Sequence, residues 1–311
     1  MSIKLKHVQF IPFQYLLINT IFYDMNSNFL MFAGQKDECY SSIGLWNLTT
    51  NQLEYVIDSK GITTSIFFLS YEKKIFYSSK NIIKIHTITS PQNSLELVHN
   101  AIVTSIVYCP IGKTIISGTE DGVITFWQTA AGQKTLTLLG HGNEITSILC
   151  TRDEKILISA SSDKTIKVWD LVNKKEVFTL KGHKEKIFSL ALNPNETILA
   201  SGGADDNDQI KLWNIKTEQQ LCTKFRSDSF LIDTSVTALA FSSIGNYLAT
   251  SFFRDNYQVG LWDVNTGNNL ALGKGFADEV YSILLHPTAN IIISCGSGIC
   301  GAGIDIWEII D

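Results

Sequence analysis

Along most of the chain, apolar and polar residues alternate with a period near two, in short runs broken by turn-forming residues. Between residues 140 and 181 the runs "EITSILCT", "EKILISAS", "KTIKVWDL" and "KEVFTLKG" read as four successive strands. No window of useful length carries the three-and-four spacing of a helix. The third run has a signature, apolar-x-apolar-Trp-x-apolar, and it recurs. It is found at "IGLWNL" (43–48), "IKIHTI" (83–88), "ITFWQT" (124–129), "IKVWDL" (166–171), "IKLWNI" (210–215), "VGLWDV" (259–264) and "IDIWEI" (304–309). His86 replaces Trp in the second, and Thr129 fills the last apolar place of the third. All six Trp residues of the chain are used, one per repeat, at intervals of 40, 41, 42, 44, 49 and 45 residues.

A repeat of roughly 40–45 residues holding four strands is the unit of a β-propeller blade. One such sheet is too small to cover both of its faces, so neighbouring sheets must stack on one another to form a core. The pattern predicts an all-β, seven-bladed β-propeller of four-stranded antiparallel blades in a single domain. The blades fall roughly at 11–58, 59–98, 99–139, 140–181, 182–224, 225–274, and 275–311 with 2–8. The last assignment follows from strand counting. The seventh repeat runs out at Asp311 after its third strand, while "SIKLKHVQF" at the other end is itself strand-like. Residues near 2–8 are expected to supply the missing outer strand, which would remove an exposed sheet edge.

"GHGNEITSIL…LISASSDKTIKVWD" (140–170) and "GHKEKIFSLALNPNETILASGG…IKLWN" (182–214) resemble WD repeats, with Gly-His near the start and Trp-Asp near the end. The resemblance extends over the chain in seven units of unequal quality. The third unit lacks the Gly but keeps His99 four residues before Val103, as His141 precedes Ile145 and His183 precedes Ile187. In WD-repeat proteins the His, a Ser or Thr of the second strand, an Asp of the following turn and the Trp form a hydrogen-bonded set. The resemblance therefore implies sets of His141, Ser159, Asp163 and Trp169 in the fourth unit, and of His99, Ser117, Asp121 and Trp127 in the third. In the fifth it implies His183, Ser201 and Trp213, with the Asp left ambiguous by a longer turn. The residue types suit the role, since a buried imidazole needs both nitrogens satisfied and an indole N–H can only donate. A Ser/His/Asp trio also suggests a nucleophilic triad. Its repetition in several units, each time beside a Trp, favours the structural role.

"IIISCGSGICGAGIDIW" (291–307) contains G-x-G-x-x-G at Gly296, Gly298 and Gly301. A dinucleotide fingerprint needs a helix after it and an acidic residue about 20 positions on, and neither fits here. A hairpin turn between the second and third strands of the seventh blade is expected instead.

Composition adds exclusions. Hydrophobic residues make up 45% and charged residues 18%, enough apolar material for a core. The net charge is -5 with no Lys/Arg cluster, which points away from a nucleic-acid surface. Cys39, Cys109, Cys150, Cys222, Cys295 and Cys300 are scattered without a C-x-x-C pair. Neither a disulfide framework nor a zinc site is expected, and reduced thiols suit a cytoplasmic or nuclear protein that is not secreted. No apolar stretch approaches the roughly 20 residues of a membrane span. G-x-S-x-G, H-E-x-x-H and Walker A motifs are absent, and "ADDNDQ" (204–209) lacks the EF-hand spacing, so it reads as a solvated turn. No cofactor, metal or catalytic residue is assigned.

The candidate functional residues come from insertions. From the second-strand Ser or Thr to the Trp there are 10 residues at Ser117 and Ser159, 12 at Ser201 and Thr250, and 13 at Ser294. The long sixth-unit turn "SFFRDNYQ" (251–258) and its lead-in loop "RSDSFLIDTS" (226–235) would gather Phe230, Leu231, Phe252, Phe253, Arg254 and Tyr257 on one rim. Exposed aromatic and Arg side chains mark partner sites; the alternative is that they pack locally over the blade end. Asp205, Asp206 and Asp208 would steer a basic partner. The expected function is a non-enzymatic scaffold, a monomeric propeller within a larger complex, docking a protein or peptide on the loop-bearing face. The alternative, an enzyme or ligand-binding propeller with a site at the channel mouth, is disfavoured because the innermost strands offer hydroxyls but almost no charge.

Overall fold

The computed structural model describes residues 3–24, 27–92, 94–205, 208–221, 225, 235–253, 258–298 and 301–310. Among them every regular element is a strand, twenty-eight in all. They form five sheets of four strands and one of eight, the latter being two blades joined at the single bridge Phe253–Glu279. The chain is thus all-β, a β-propeller with seven four-stranded antiparallel blades. It divides into two compact units, residues 19–181 and residues 1–18 with 182–311.

The first unit holds blades one to four. The fourth shows the common plan: Ile145–Cys150, Ile156–Ser161, Thr165–Asp170 and Lys175–Lys181 pair in sequence order. These are the four runs expected from the alternation. Both faces of the second strand are covered (Leu157, Ile158, Ser159 and Ala160 are all buried), so period two gives way to a continuous small-apolar stretch there. The core lies between consecutive blades. Met31, Ile43 and Leu45 of blade one meet Ile66, Phe68 and Ile75 of blade two. Phe76, Ile83 and Leu97 of blade two meet Val103, Ile115 and Trp127 of blade three. Blade three meets blade four through Ile116, Ile124, Ile145 and Trp169.

The second unit holds blades five to seven, packed likewise. Leu212 and Ala200 meet Val236, Leu239 and Leu248, and Ala249 and Leu261 meet Ile283, Ile292 and Trp307. The seventh blade consists of Glu279–Leu285, Ile291–Gly298 and Gly301–Ile310, completed by Lys4–Phe13 from the other end of the chain. Lys4 pairs with Ile310 and Phe13 with Ala302, with a bulge between His7 and Gln9. The strand runs past the residue-8 limit expected from the sequence, because Phe10 and Ile11 keep the pairing and Ile11 is buried against the blade.

Two irregularities recur and set the geometry of every site. The inner strand is bulged one residue in, at Val103/Ser105, Ile145/Ser147, Ile187/Ser189, Val236/Ala238 and Val280/Ser282. The third strand is bulged against the outer one at its Trp, as at Val168/Trp169 and Leu261/Trp262. Such bulges re-aim side chains. In blades three to seven the indole faces the second strand's hydroxyl.

The three glycines of the G-x-G-x-x-G run, Gly296, Gly298 and Gly301, are explained by packing. Gly298 pairs with Gly301 across the expected hairpin, and a Cβ on Gly296 would lie 1.8 Å from Glu279 O of the inner strand. No helix follows. Among the described residues no helix is long and apolar enough to cross a membrane.

Candidate interaction surface

The polar sets come first, because they decide which ionisable residues are available for anything else. In blade four Trp169 Nε1–H donates to Ser159 Oγ at 2.9 Å, and Ser159 Oγ and His141 Nε2 are 2.8 Å apart. His141 Nδ1 lies 2.8 Å from Asp163 Oδ2. A carboxylate only accepts, so the proton sits on Nδ1, and Nε2 accepts from the serine. Burial pushes the His141 ring below its ordinary pKa, which keeps it neutral, although Asp163 pulls the other way. Burial raises the Asp163 carboxyl, but hydrogen bonds from Thr165, Gly142 N and His141 outweigh it and leave it below the usual carboxylate range. Gly140 is small for a reason: a Cβ there would meet the Trp169 ring at 2.9 Å.

Blade five repeats this with Trp213 to Ser201 at 2.8 Å and Ser201 to His183 at 2.7 Å. Its acid, ambiguous in the sequence, is Asp205, which takes His183 Nδ1 and Lys184 N. The signal was available: Asp205 follows His183 by 22 residues, the same separation as Asp163 from His141. Blade three departs from the implied set. His99 Nε2 contacts Ser117 at 2.7 Å and Trp127 at 3.0 Å, but Nδ1–H donates to Leu97 O at 3.2 Å. Asp121 instead accepts from Thr119 Oγ1 at 2.5 Å, a correction to the expectation that it binds the histidine.

The expected rim of blade six also needs correcting. Phe252 is only 2% exposed and packs against Trp262 with ring centroids 6.5 Å apart, so it belongs to the core between blades five and six. Phe253 is half-buried beside Tyr281, 6.4 Å between ring centres. Phe230, Leu231, Arg254, Tyr257 and Asp206 lie outside the described residues. In the acidic turn, Asp205 is not open to a partner either. Asp205 is buried, and Lys211, 3% exposed, places its ammonium 2.7 Å from Asp208 Oδ2 and 3.9 Å from Asp205 Oδ2. A buried lysine needs nearby counter-charge, and these two acids supply it.

The accessible chemistry lies in the first unit, on the end of the blades that carries the lead-in loops. A cavity of about 480 Å³ opens there across blades one to three. Its walls include Glu38 from the second-to-third turn of blade one, Ile62 from the lead-in loop of blade two and Lys80 from that blade's turn. Blade three adds Ala101 and Ile102 from its lead-in loop and Glu120 from its turn. Ile62 and Ile102 are each 43% exposed. The walls are held by backbone bonds: Gly61 N to Cys39 O, His99 N to Asn81 O at 2.8 Å, Val103 N to Lys80 O at 2.8 Å, and Glu120 N to Ile102 O at 3.0 Å. Gly61 (φ 92°) crosses directly over the stem of Lys80, whose Cγ would sit 2.7 Å from a Cβ. Asp37 Oδ1 accepts from Cys39 N and Tyr40 N and shapes the turn that presents Glu38.

Sequence reasoning passed over this surface because an Ile just before a strand reads as strand core. Residues 90–128, 132–170 and 174–214 each match the WD domain, G-beta repeat family. The middle of the chain therefore carries three WD repeats. No curated protein sequence matches it. The matched WD repeats include the three whose Trp–hydroxyl–His sets are intact, and the unmatched blades keep the fold with fewer of those residues.

Proposed function

We propose that this WD-repeat chain is a non-enzymatic interaction scaffold, a single propeller that works inside a larger protein assembly and docks a protein or peptide on the loop-bearing end of its blades. WD repeats belong to a kind of domain that serves protein interaction, which supports the general class. The cavity over blades one to three carries the specific reading: it sets exposed isoleucines between charged side chains on hydrogen-bonded walls. The imidazoles and carboxylates that could suggest catalysis are committed to the blade sets of His141, Asp163, His183 and Asp205. A net charge of -5 and reduced thiols favour a cytoplasmic or nuclear setting and a protein partner over a nucleic acid.

Size analysis of the native protein in cell extract tests this. An assembly well above the 34.6 kDa of the chain, carrying reproducible cross-links to loop-bearing residues, is expected. Elution at the size of the lone chain with no cross-linked protein would overturn it.

A further inference from the structure

The residue that opens each lead-in into the inner strand can be compared through the bulge of blades three to seven and, in blade two, through Thr64, whose hydroxyl bonds Val103 O as that of Thr104 bonds Ile145 O. In blades four to seven it is Glu144, Lys186, Ser235 and Glu279, polar in every case. In blades two and three it is Ile62 and Ile102, each 43% exposed. In blade one the counterpart is Leu17, so the first three repeats carry an apolar residue where the last four carry charge or hydroxyl, and at Ile62 and Ile102 much of that side chain faces solvent. Both side chains line the same cavity.

Charge around them is ordered. Blade two packs between blades one and three, so the wall runs Glu38, Ile62, Lys80, Ile102, Glu120. Glu38, Lys80 and Glu120 make no ion pair among the described residues, and Ile102 N fixes the Glu120 carboxylate at 3.3 Å. Acid stands at both ends, isoleucine inside each, and one lysine at the centre. The complement is a chain with a basic group at each end, two apolar groups and one acid between them. A polypeptide segment offers such a succession at regular intervals.

We infer that this groove binds an extended segment of a partner protein in which two apolar side chains flank an acidic residue and are themselves flanked by Lys or Arg. The inference rests on the interaction reading above and deepens it. The apolar pair covers Ile62 and Ile102, the basic ends meet Glu38 and Glu120, and the central acid meets Lys80. Apolar burial supplies affinity, while the charges set register and orientation.

Fluorescence anisotropy on the full chain tests it with three synthetic peptides: Lys-Leu-Glu-Leu-Lys, Glu-Leu-Lys-Leu-Glu and Lys-Ser-Glu-Ser-Lys, each extended by Gly-Ser at both ends. The first should bind at least tenfold tighter than the other two. Ile62→Glu and Ile102→Glu should each weaken it at least tenfold with an unchanged melting temperature, since both positions are open to solvent. The triple variant Glu38→Lys, Lys80→Glu, Glu120→Lys should prefer the second peptide. Absence of binding by the first peptide, equal binding of all three, or insensitivity to these variants would overturn the groove. If the native assembly persists with Ile62→Glu/Ile102→Glu in place while the peptide result is negative, the groove falls and the scaffold reading stands. Loss of any assembly in the unaltered protein sinks the scaffold reading itself.

Discussion

Blades four and seven solve one problem in two ways. Each anchors its Trp by an indole N–H bond to a second-strand hydroxyl, Ser159 at 2.9 Å and Ser294 at 3.0 Å. In blade four the imidazole beside that anchor is His141, from the loop leading into the same blade. In blade seven Phe276 holds the corresponding place, and the imidazole arrives from the N-terminal strand. His7 Nε2 sits 2.7 Å from Asp305 Oδ1, with its ring 5.0 Å from Trp307 and 5.1 Å from Phe276. Asp305 occupies the position two before the Trp, where blade four has Lys167. The carboxylate environments differ too. Asp163 is held below its ordinary range, whereas burial pushes Asp305 up against hydrogen bonds from His7 and Phe276 N. The Trp–hydroxyl bond is the constant part of blades three to seven. The acid–imidazole pair can be rebuilt from other strands.

The sharpest break of this comparison is removal of residues 1–13. It exposes the long strand Gly301–Ile310 and strips Asp305 of its imidazole, and differential scanning calorimetry should show a melting temperature lower by about 5–10 °C. An unchanged melt would mean the N-terminal strand is ornamental. Next comes His7→Ala against Asp163→Ala, each read by urea unfolding and each expected to cost about 1–3 kcal/mol at pH 7. The two should part on acidification. Asp305 has its pKa raised in the fold, so its neutral form is favoured below that value, and the cost of His7→Ala should shrink as the pH falls.

A third test follows from burial of His86, His99 and His141, all held below their ordinary pKa. The unfolded chain binds these protons more readily, so stability is full above about pH 6.5 and declines below it. The melting temperature should fall between pH 7.5 and 5.5, less steeply in His141→Gln. The smallest effect is expected for Asp121→Ala, under about 0.5 kcal/mol, because its carboxylate does not reach His99. A cost equal to that of Asp163→Ala would show that blade three works like blade four after all.

Much of this architecture was readable in advance. Every Trp lies in register because in six of the seven blades an indole fills the same place, and a spacing fixed by geometry survives as a spacing in sequence. The N-terminal strand was legible for a similar reason, an incomplete blade at one end and an unclaimed alternating run at the other. Phe252 was misplaced because Tyr247–Phe253 is buried on both faces nearly to its end, so alternation carries no information about which side chains see solvent. Asp121 and Asp163 share one separation from their histidines, yet only one makes the bond. Leu97 O satisfies His99 first, and no spacing rule anticipates a competing carbonyl. Ile62 and Ile102 stand out only when the blades are laid over one another position by position.

The pairing of Lys4–Phe13 with Gly301–Ile310 also imposes an order on biosynthesis. Lys4–Phe13 leaves the ribosome well before Gly301–Ile310 and has to wait for it. At elongation rates of roughly 5–20 residues per second, about 15–60 s pass before its partner emerges. During that interval the nascent chain carries a ten-residue strand with an open edge, which makes it a natural client for chaperones that shield unpaired backbone.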